Sequence, residues 1–281
     1  MPSGNPLAGV LDVLKYTPSS YVYTEVGNCS TVLKGQEIWC HGKSQGVRHF
    51  VVDGALQHEA AVYDRLGDHP LITKCLGLEE VGPNVLALRL ERSTIGSIRY
   101  YIIEHPDKAP PMKDRLRMSL EFAEGMHYLH EKGVIWGDAS VRNALFFDDL
   151  RVKLCDFGGS TWEGCKFEPG EGYEIRYELP LRGRTRGELT PTAKEIFALG
   201  SAIYEMTEWK IPDGDLSEED VDMKWRRDQR PDPSPDNPAG DVIKKCWLEI
   251  YGSVSEAVED LKDIILREVR EKDQEAHVGC Q

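Results

Sequence analysis

The sequence of residues 134–160 is VIWGDASVRNALFFDDLRVKLCDFGGS. It sets Asp138 five residues before Asn143 (143 − 138) and eighteen residues before Asp156 (156 − 138). Between the amide and the second acid, the run NALFFDDLRVKLCDF predicts two short strands that turn at Asp148–Asp149. Such a strand pair would bring the side chains of Asn143 and Asp156 together.

Two oxygen ligands and one further carboxylate at this spacing have a chemical use. Mg²⁺ prefers hard oxygen donors and shares them with substrate phosphates, so Asn143 and Asp156 could hold it against a nucleotide. Asp138 could then orient an attacking hydroxyl and accept its proton. Each residue alone would favour a structural role, in a turn, a cap or before a glycine turn. The three together favour nucleotide or metal binding.

The rest of the chain divides into a strand-rich and a helix-rich part. The first ninety residues predict a hairpin turning at Gly35–Gln36, one helix and two further strands, over 21–41, 53–66, 71–80 and 84–92. Later, apolar residues at helical spacing predict a core-facing helix over 112–133. Thr190 and Pro191 predict the start of a central helix that is apolar nearly all round. These patterns indicate an α+β protein.

Composition narrows the functional class. The 281 residues carry a formal net charge of −14, which disfavours binding to nucleic-acid phosphates. No apolar run approaches the roughly 18 residues of a membrane helix, and we find no secretory signal. The seven cysteines are scattered and odd in number, which favours free thiols in a reducing compartment, cytoplasmic or nuclear.

The segments GDASVRN (137–143) and KLCDFGG (153–159) resemble the catalytic loop and D-F-G segment of eukaryotic protein kinases. The resemblance extends over almost the whole chain, through HEAAVYDRLGDHP, IRYELP and EIFALGSAIYEM. As a whole, the sequence is similar to small fungal kinase-like proteins. It implies a single domain over 1–281 with a two-lobed fold. A five-stranded N-lobe of about 18–91 would stand over a helical C-lobe of about 94–268, with ATP in the cleft.

The resemblance also implies roles for individual residues. Asp138 would be the catalytic base, and Asn143 and Asp156 would hold Mg²⁺. The residues that would contact ATP are Gly27, Val32, Ile38, Glu59, Glu91 and Ser93. Glu59 would stand on the helix that normally pairs with a strand-three lysine.

That lysine is where the sequence departs most from the family pattern. Our alignment puts EIWCHG on strand three, so the neutral Cys40 stands where the lysine is expected. Lys34, two residues after Val32 and so on the same strand face, could supply the charge, as could Lys43 if a bulge shifts the register. The with-no-lysine kinases resemble this arrangement. The loop VGNCST also keeps only Gly27 of the usual three glycines.

Other departures concern control and structure. Trp136-Gly137 replaces the usual histidine-arginine, so a phosphate on the activation segment would lack its arginine, and we expect no activation by phosphorylation there. Leu181 and Tyr251 stand where the family has a buried glutamate and its arginine, so we expect both halves of that ion pair to be absent together. Glu195 replaces an aspartate that accepts hydrogen bonds from the catalytic-loop backbone.

Two functions follow from this balance. The first is an ATP- and Mg²⁺-dependent phosphotransferase of the protein kinase type, serine/threonine-directed, with an atypical lysine. The second is a pseudokinase scaffold that binds a partner protein and transfers little or no phosphate. Nothing positive supports a third, a kinase fold with other chemistry. The sequence leaves substrate, partner and oligomeric state open.

Overall fold

A computed structural model describes residues 21–26, 29–34, 36–38, 49–51, 55–82, 85–167 and 173–278. Side chains are described for 56–78, 88–167 and 173–270. The chain forms two compact units, one of Met1–His69 with Thr73–Ser93 and one of Pro70–Ile72 with Thr94–Gln281. Within the described ranges, no helix is both long enough and apolar enough to cross a membrane.

The first unit is a sheet with one helix. Its elements are β1 (Tyr21–Val26), β2 (Cys29–Lys34), β3 (Gln36–Ile38), β4 (His49–Val51), α1 (Ala55–Leu66), β5 (Cys75–Gly82) and β6 (Val85–Glu91). An antiparallel sheet of four strands has the order β1-β2-β6-β5, and β3 pairs separately with β4. Helix α1 buries Leu56, Val62 and Leu66 and ends at Gly67, whose φ of +66° suits glycine.

The structure corrects two expectations in this unit. The hairpin of residues 21–41 closes where Val26 pairs with Cys29, rather than at Gly35–Gln36. The four-stranded sheet places β2 directly beside β6, and the described part of the strand expected to carry EIWCHG, Gln36–Ile38, pairs with β4 outside that sheet.

The second unit is mostly helical. It contains β7 (Gly96–Ser97), α2 (Ile98–Glu104), α3 (Met112–Glu131), β8 (Val134–Ile135), β9 (Ala144–Phe146), β10 (Val152–Leu154), β11 (Thr161–Trp162), α4 (Pro191–Glu208), α5 (Glu218–Trp225), α6 (Gly240–Trp247) and α7 (Val254–Val278). Strands β10, β9 and β7 form one small sheet, and β11 pairs with β8.

Helix α4 is the core of this unit, as its apolar pattern predicted. The hydroxyl of Thr190 accepts a hydrogen bond from the amide of Ala193 at 3.1 Å, and Pro191 opens the helix. Every residue from Glu195 to Thr207 is buried. Helix α6 packs so tightly on α4 that a Cβ built on Gly200 would lie 2.7 Å from the Cβ of Cys246.

Strands β9 and β10 form the predicted antiparallel pair. Val152 pairs with Phe146 and Leu154 with Ala144, and a 3-10 turn at Asp148–Leu150 joins them. Because this ladder ends at Leu154 and Ala144, it delivers Asn143 and Asp156 to the same edge of the small sheet.

Candidate active site

The catalytic-loop residues lie between β8 and β9, and a short 3-10 turn, Val141–Asn143, shapes their end. The Asn143 side-chain nitrogen donates to the backbone oxygen of Asp138 and to its Oδ2, each at 2.9 Å. Arg142 Nη2 lies 3.3 Å from the same Oδ2. Both Nδ2 protons of Asn143 are thus directed at Asp138, and its amide oxygen is the atom suited to a cation.

Asp156 stands one residue beyond β10 in a left-handed backbone conformation, with φ of 56°. The neighbouring Cys155 donates from its amide to the Asn143 carbonyl at 2.9 Å, which ties the two predicted metal ligands together through the backbone. A non-glycine residue with this φ costs about 1–2 kcal/mol, and such strain is concentrated at functional sites.

Trp136 holds the other side of Asp156. Its indole Nε1 donates to the Asp156 carbonyl at 3.0 Å, and its ring is fully buried between Phe122 and Phe157 at centroid distances of 5.7 and 5.9 Å. Trp136 therefore fills core space. The hydrogen bond was missed, although a buried indole N–H needs an acceptor and so signals one.

Glu195, near the start of α4, holds the catalytic loop through a hydrogen bond. One carboxylate oxygen accepts from the Gly137 amide at 2.9 Å, and the other lies 2.5 Å from His130 Nε2. Burial and the nearby Glu195 carboxylate raise the pKa of the Tyr173 hydroxyl well above its usual range. The predicted contact to the catalytic-loop backbone is confirmed, whereas the sequence did not point to His130 or Tyr173.

Gly137 explains the missing arginine. Its φ is +82°, and a Cβ built there would lie 2.2 Å from the carbonyl oxygen of Gly159. No side chain of any kind fits at this position while the glycine pair after Phe157 keeps its place. The adjacent Ser160 is also committed, because it is fully buried and its hydroxyl donates to the Trp136 carbonyl at 2.9 Å.

The environment raises the pKa of Asp138 to about 6. Burial is the main cause, and the carboxylates of Asp156 and Glu174 add to it, while Arg142 and Asn143 oppose it. A carboxyl group with this pKa is ionised at neutral pH yet basic enough to take a proton, which suits a general base.

The donors present suit magnesium. Asn143 and Asp156 offer a neutral and a charged oxygen, and Mg²⁺ ordinarily completes its shell with waters and substrate phosphates. Among the residues whose side chains are described, no group of three or more His, Cys, Asp or Glu is arranged to hold a metal ion without a substrate. Two such donors would fit a magnesium ion that shares its shell with substrate phosphates.

The remaining predicted residues belong to the first unit. Glu59 is buried on α1, and Glu91 Oε1 accepts from the Lys74 amide at 2.7 Å at the end of β6. Ser93 follows β6 and is half-buried.

The other predicted residues are described only by their backbone or not at all. Val32 and Lys34 lie on β2 and Ile38 ends β3, but their side chains are not among those described. Gly27, Cys40 and Lys43 lie outside the described residues. Which lysine supplies the charge missing at Cys40 therefore stays a prediction from the sequence.

One expectation about charge needs correction. Leu181 and Tyr251 are uncharged, as inferred, but the ion pair is present with reversed polarity. Arg184 donates to Glu249 through both terminal nitrogens, at 2.8 and 2.7 Å, and Arg182 pairs with the same carboxylate. A position-by-position comparison misses this pair, because the bases, Arg182 and Arg184, now follow Pro180 and the acid lies two residues beyond the end of α6.

Comparison with known proteins decides the family. The sequence model of the protein tyrosine and serine/threonine kinase family matches residues 51–251. The chain belongs to the protein kinase family. The predicted α+β fold, a small β-sheet N-lobe with a helical C-lobe, is thereby confirmed, and the two units described above are these lobes.

Curated relatives of this kinase domain come from plants and animals. It is 29% identical over 196 residues to the serine/threonine/tyrosine-protein kinase HT1 of Arabidopsis thaliana, covering 68% of this chain and 49% of that protein. It is 29% identical over 176 residues to mitogen-activated protein kinase kinase kinase 20 of the same plant, covering 57% and 50%. For the tyrosine-protein kinase receptor svh-2 of Caenorhabditis elegans the identity is 26% over 191 residues, covering 64% and 17%. The matched region thus spans about half the length of these relatives or less.

Proposed function

We propose that this kinase-family chain is an ATP- and Mg²⁺-dependent phosphotransferase that acts on serine or threonine hydroxyls of a protein substrate. One observation carries the proposal: Asn143 hydrogen-bonds the Asp138 carboxylate, and its own carbonyl accepts from the amide of Cys155, the neighbour of Asp156, although eighteen residues separate Asp138 from Asp156. A purely structural role would require neither the raised pKa of Asp138 nor the left-handed backbone of Asp156.

In this mechanism Asp138 orients the substrate hydroxyl and accepts its proton. Asn143 keeps the carboxylate in place by donating to it, and Arg142 balances its charge. Asn143 and Asp156 would hold Mg²⁺, which when bound neutralises charge on the transferred phosphoryl group. Trp136 and Glu195 support the loop from opposite sides, so the reacting groups need little rearrangement.

The nucleotide contacts are part of the same proposal. Gly27, Val32, Ile38, Glu59, Glu91 and Ser93 would line the ATP site, within an N-lobe of about 18–91 joined to a C-lobe of about 94–268. Lys34 would supply the charge that Cys40 cannot, with Lys43 as the alternative. The free thiols of Cys75, Cys155, Cys165 and Cys246 suit a reducing compartment.

A second candidate function is a pseudokinase scaffold that binds a partner protein and transfers little phosphate. Cys40 in the expected lysine position favours it, since loss of one preorganised charge costs about 3–4 kcal/mol of transition-state stabilisation. Metal and nucleotide binding through Asn143 and Asp156 would survive that loss. The two candidates therefore differ in turnover rather than in occupancy.

Thermal unfolding with ATP, with and without Mg²⁺, tests the proposal. A ligand at 100 times its Kd adds about 2.7 kcal/mol of stability. We expect a magnesium-dependent shift in the natural chain, its loss in Asp156→Asn, and its retention in the control Asp149→Asn, which alters an exposed turn carboxylate. Absence of any shift at millimolar ATP contradicts nucleotide binding altogether.

Phosphate transfer to peptides separates the two candidates. A phosphotransferase loses turnover by orders of magnitude in Asp138→Asn and in Lys34→Ala or Lys43→Ala. A scaffold shows the magnesium-dependent shift with no transfer above that of Asp138→Asn.

A further inference from the structure

The segment 173–177, which precedes Pro180, is fastened to the C-lobe by its own side chains. Three of its five residues hydrogen-bond other elements, namely Glu174, Arg176 and Tyr177. In a kinase this stretch belongs to the activation segment. Many kinases controlled by phosphorylation order that segment only after it has been modified. Here no modification is needed to account for the contacts.

Arg99, the second residue of α2, is the centre of these contacts. Its Nη1 and Nη2 donate to Glu174 at 3.0 and 3.3 Å. On its other side Nη2 donates to Glu205 at 2.8 Å, and Nε also bonds that carboxylate. Glu205 is fully buried on α4, and Tyr177 donates its hydroxyl to it at 2.9 Å.

Arg176 fixes the same segment in a second direction. Its Nε donates to the Pro212 carbonyl at 2.9 Å, and its Nη2 donates to the carbonyls of Asp213 and Leu216 at 3.1 and 2.9 Å. These three oxygens belong to the loop between α4 and α5. A buried guanidinium that bonds only backbone carbonyls in these contacts holds position rather than balancing charge.

Burying these charged groups costs free energy, so their presence needs an explanation. Desolvating two carboxylates and one guanidinium offsets most of their mutual attraction, so a buried ionic cluster is weak evidence of stability and can instead specify one conformation. A phosphate orders an activation segment by bidentate pairing with arginine. Glu174 makes the same kind of bidentate contact to Arg99 through a carboxylate that is always present.

The catalytic loop lacks the arginine that would bind a phosphate on the activation segment. Gly137 stands where an arginine would receive a phosphate, and the Gly159 carbonyl leaves no space for one. Ser160, early in the segment, is fully buried and bonded to the Trp136 carbonyl. The segment thus contains an acid, Glu174, that is already paired, and position 137 of the catalytic loop has no arginine to receive a phosphate.

We infer that Arg99 is a positioning residue that, through Glu174 and Glu205, keeps residues 173–177 ordered beside the catalytic loop with no phosphate on the segment. The regulatory part of this inference rests on the proposed phosphotransferase function. The ordering part does not, because it concerns the conformation of the C-lobe alone.

Hydrogen exchange of the full chain, treated with phosphatase and checked by intact mass, tests the ordering directly. Arg99→Met removes the guanidinium, Glu174→Gln keeps the shape of the side chain, and Arg267→Met alters an exposed arginine of α7 as a control. We expect amides of 173–181 to exchange about tenfold faster in the first two variants, as for a locally opened segment, and unchanged in the control. Exchange within twofold of the natural chain in Glu174→Gln overturns the inference, even if Arg99→Met fails to fold.

Kinetics with a serine/threonine peptide library give the second measurement. We expect the natural chain to keep its kcat/KM within twofold after phosphatase treatment, and Glu174→Gln to lose about tenfold with its magnesium-dependent ATP shift intact. A tenfold loss on phosphatase treatment of the natural chain overturns the inference. If no protein transfers phosphate, the proposed function fails, and the exchange experiment alone decides whether Arg99 orders the segment.

Discussion

Replacing Gly137 with alanine should be among the most costly single-methyl additions in the C-lobe. The backbone there has a φ of +82°, a left-handed conformation that costs an L-residue about 1–2 kcal/mol. The added Cβ would also lie 2.2 Å from the Gly159 carbonyl oxygen, more than 1 Å inside ordinary contact. Relief of such a clash by backbone movement costs about 1–3 kcal/mol.

The two costs sum to about 2–5 kcal/mol of unfolding free energy for Gly137→Ala. Two other glycines allow them to be separated. Gly164 has a φ of +80° and an added Cβ there would meet nothing within 4 Å, so Gly164→Ala should show the backbone cost alone. Gly187 has open space and no such φ, so Gly187→Ala should change stability by less than about 1 kcal/mol.

Urea unfolding followed by tryptophan fluorescence is the suitable assay. Five of the six tryptophans lie at position 136 or beyond, so the signal reports on the C-lobe, where all three glycines lie. Gly137→Ala should also reduce the magnesium-dependent ATP shift, because movement of Gly159 displaces the segment that carries Asp156. If Gly137→Ala costs no more than Gly164→Ala, the contact between the two loops is not tight, and the steric reason for the missing arginine is wrong.

Three further predictions concern charge and hydrogen bonding. Turnover should fall as pH drops through about 6, because Asp138 must be ionised to accept a proton and its pKa is raised to that value; a flat acid limb down to about pH 4.5 would contradict this. Glu249→Gln should cost about 1–3 kcal/mol in urea unfolding, since it removes the carboxylate charge that pairs with Arg182 and Arg184 while Arg182 keeps Asp228, whereas Asp222→Asn on an exposed helical pair should cost under about 1 kcal/mol. Trp136→Phe should cost about 1–3 kcal/mol and weaken Mg²⁺–ATP binding by removing the indole donor to the Asp156 carbonyl, and full-strength binding in that variant would refute the supporting role.

Local patterns were enough to predict several elements. The apolar spacing of α3, the Thr190–Pro191 start of α4 and the β9–β10 turn are each encoded within a few residues, because periodicity and caps act over one or two turns of chain. The strand after Lys34 was predicted with the wrong partner, because its described residues pair with β4. Strand pairing joins distant segments, and a short polar run carries little signal about which neighbour it will find.

The candidate site shows the same division. The spacing of Asp138, Asn143 and Asp156 indicated its chemistry and family, because the strand turn that unites them is short and lies within the same stretch. Apart from Glu195, whose contact to the loop backbone was predicted, its supports were visible only in the folded chain. Trp136 reaches a carbonyl twenty residues away, and His130 reaches a carboxylate sixty-five residues away.

The sequence by itself therefore determined the fold family, the central helices and the three residues around which phosphoryl transfer is proposed. Tertiary structure alone decided the reversed ion pair at Glu249, the exclusion of a side chain at Gly137 and the union of Arg99 with Glu174 and Glu205. The physical reason is that a buried charge or a tight glycine is acceptable only beside a particular partner. Which partner that is depends on how the elements pack, over separations that no local pattern spans.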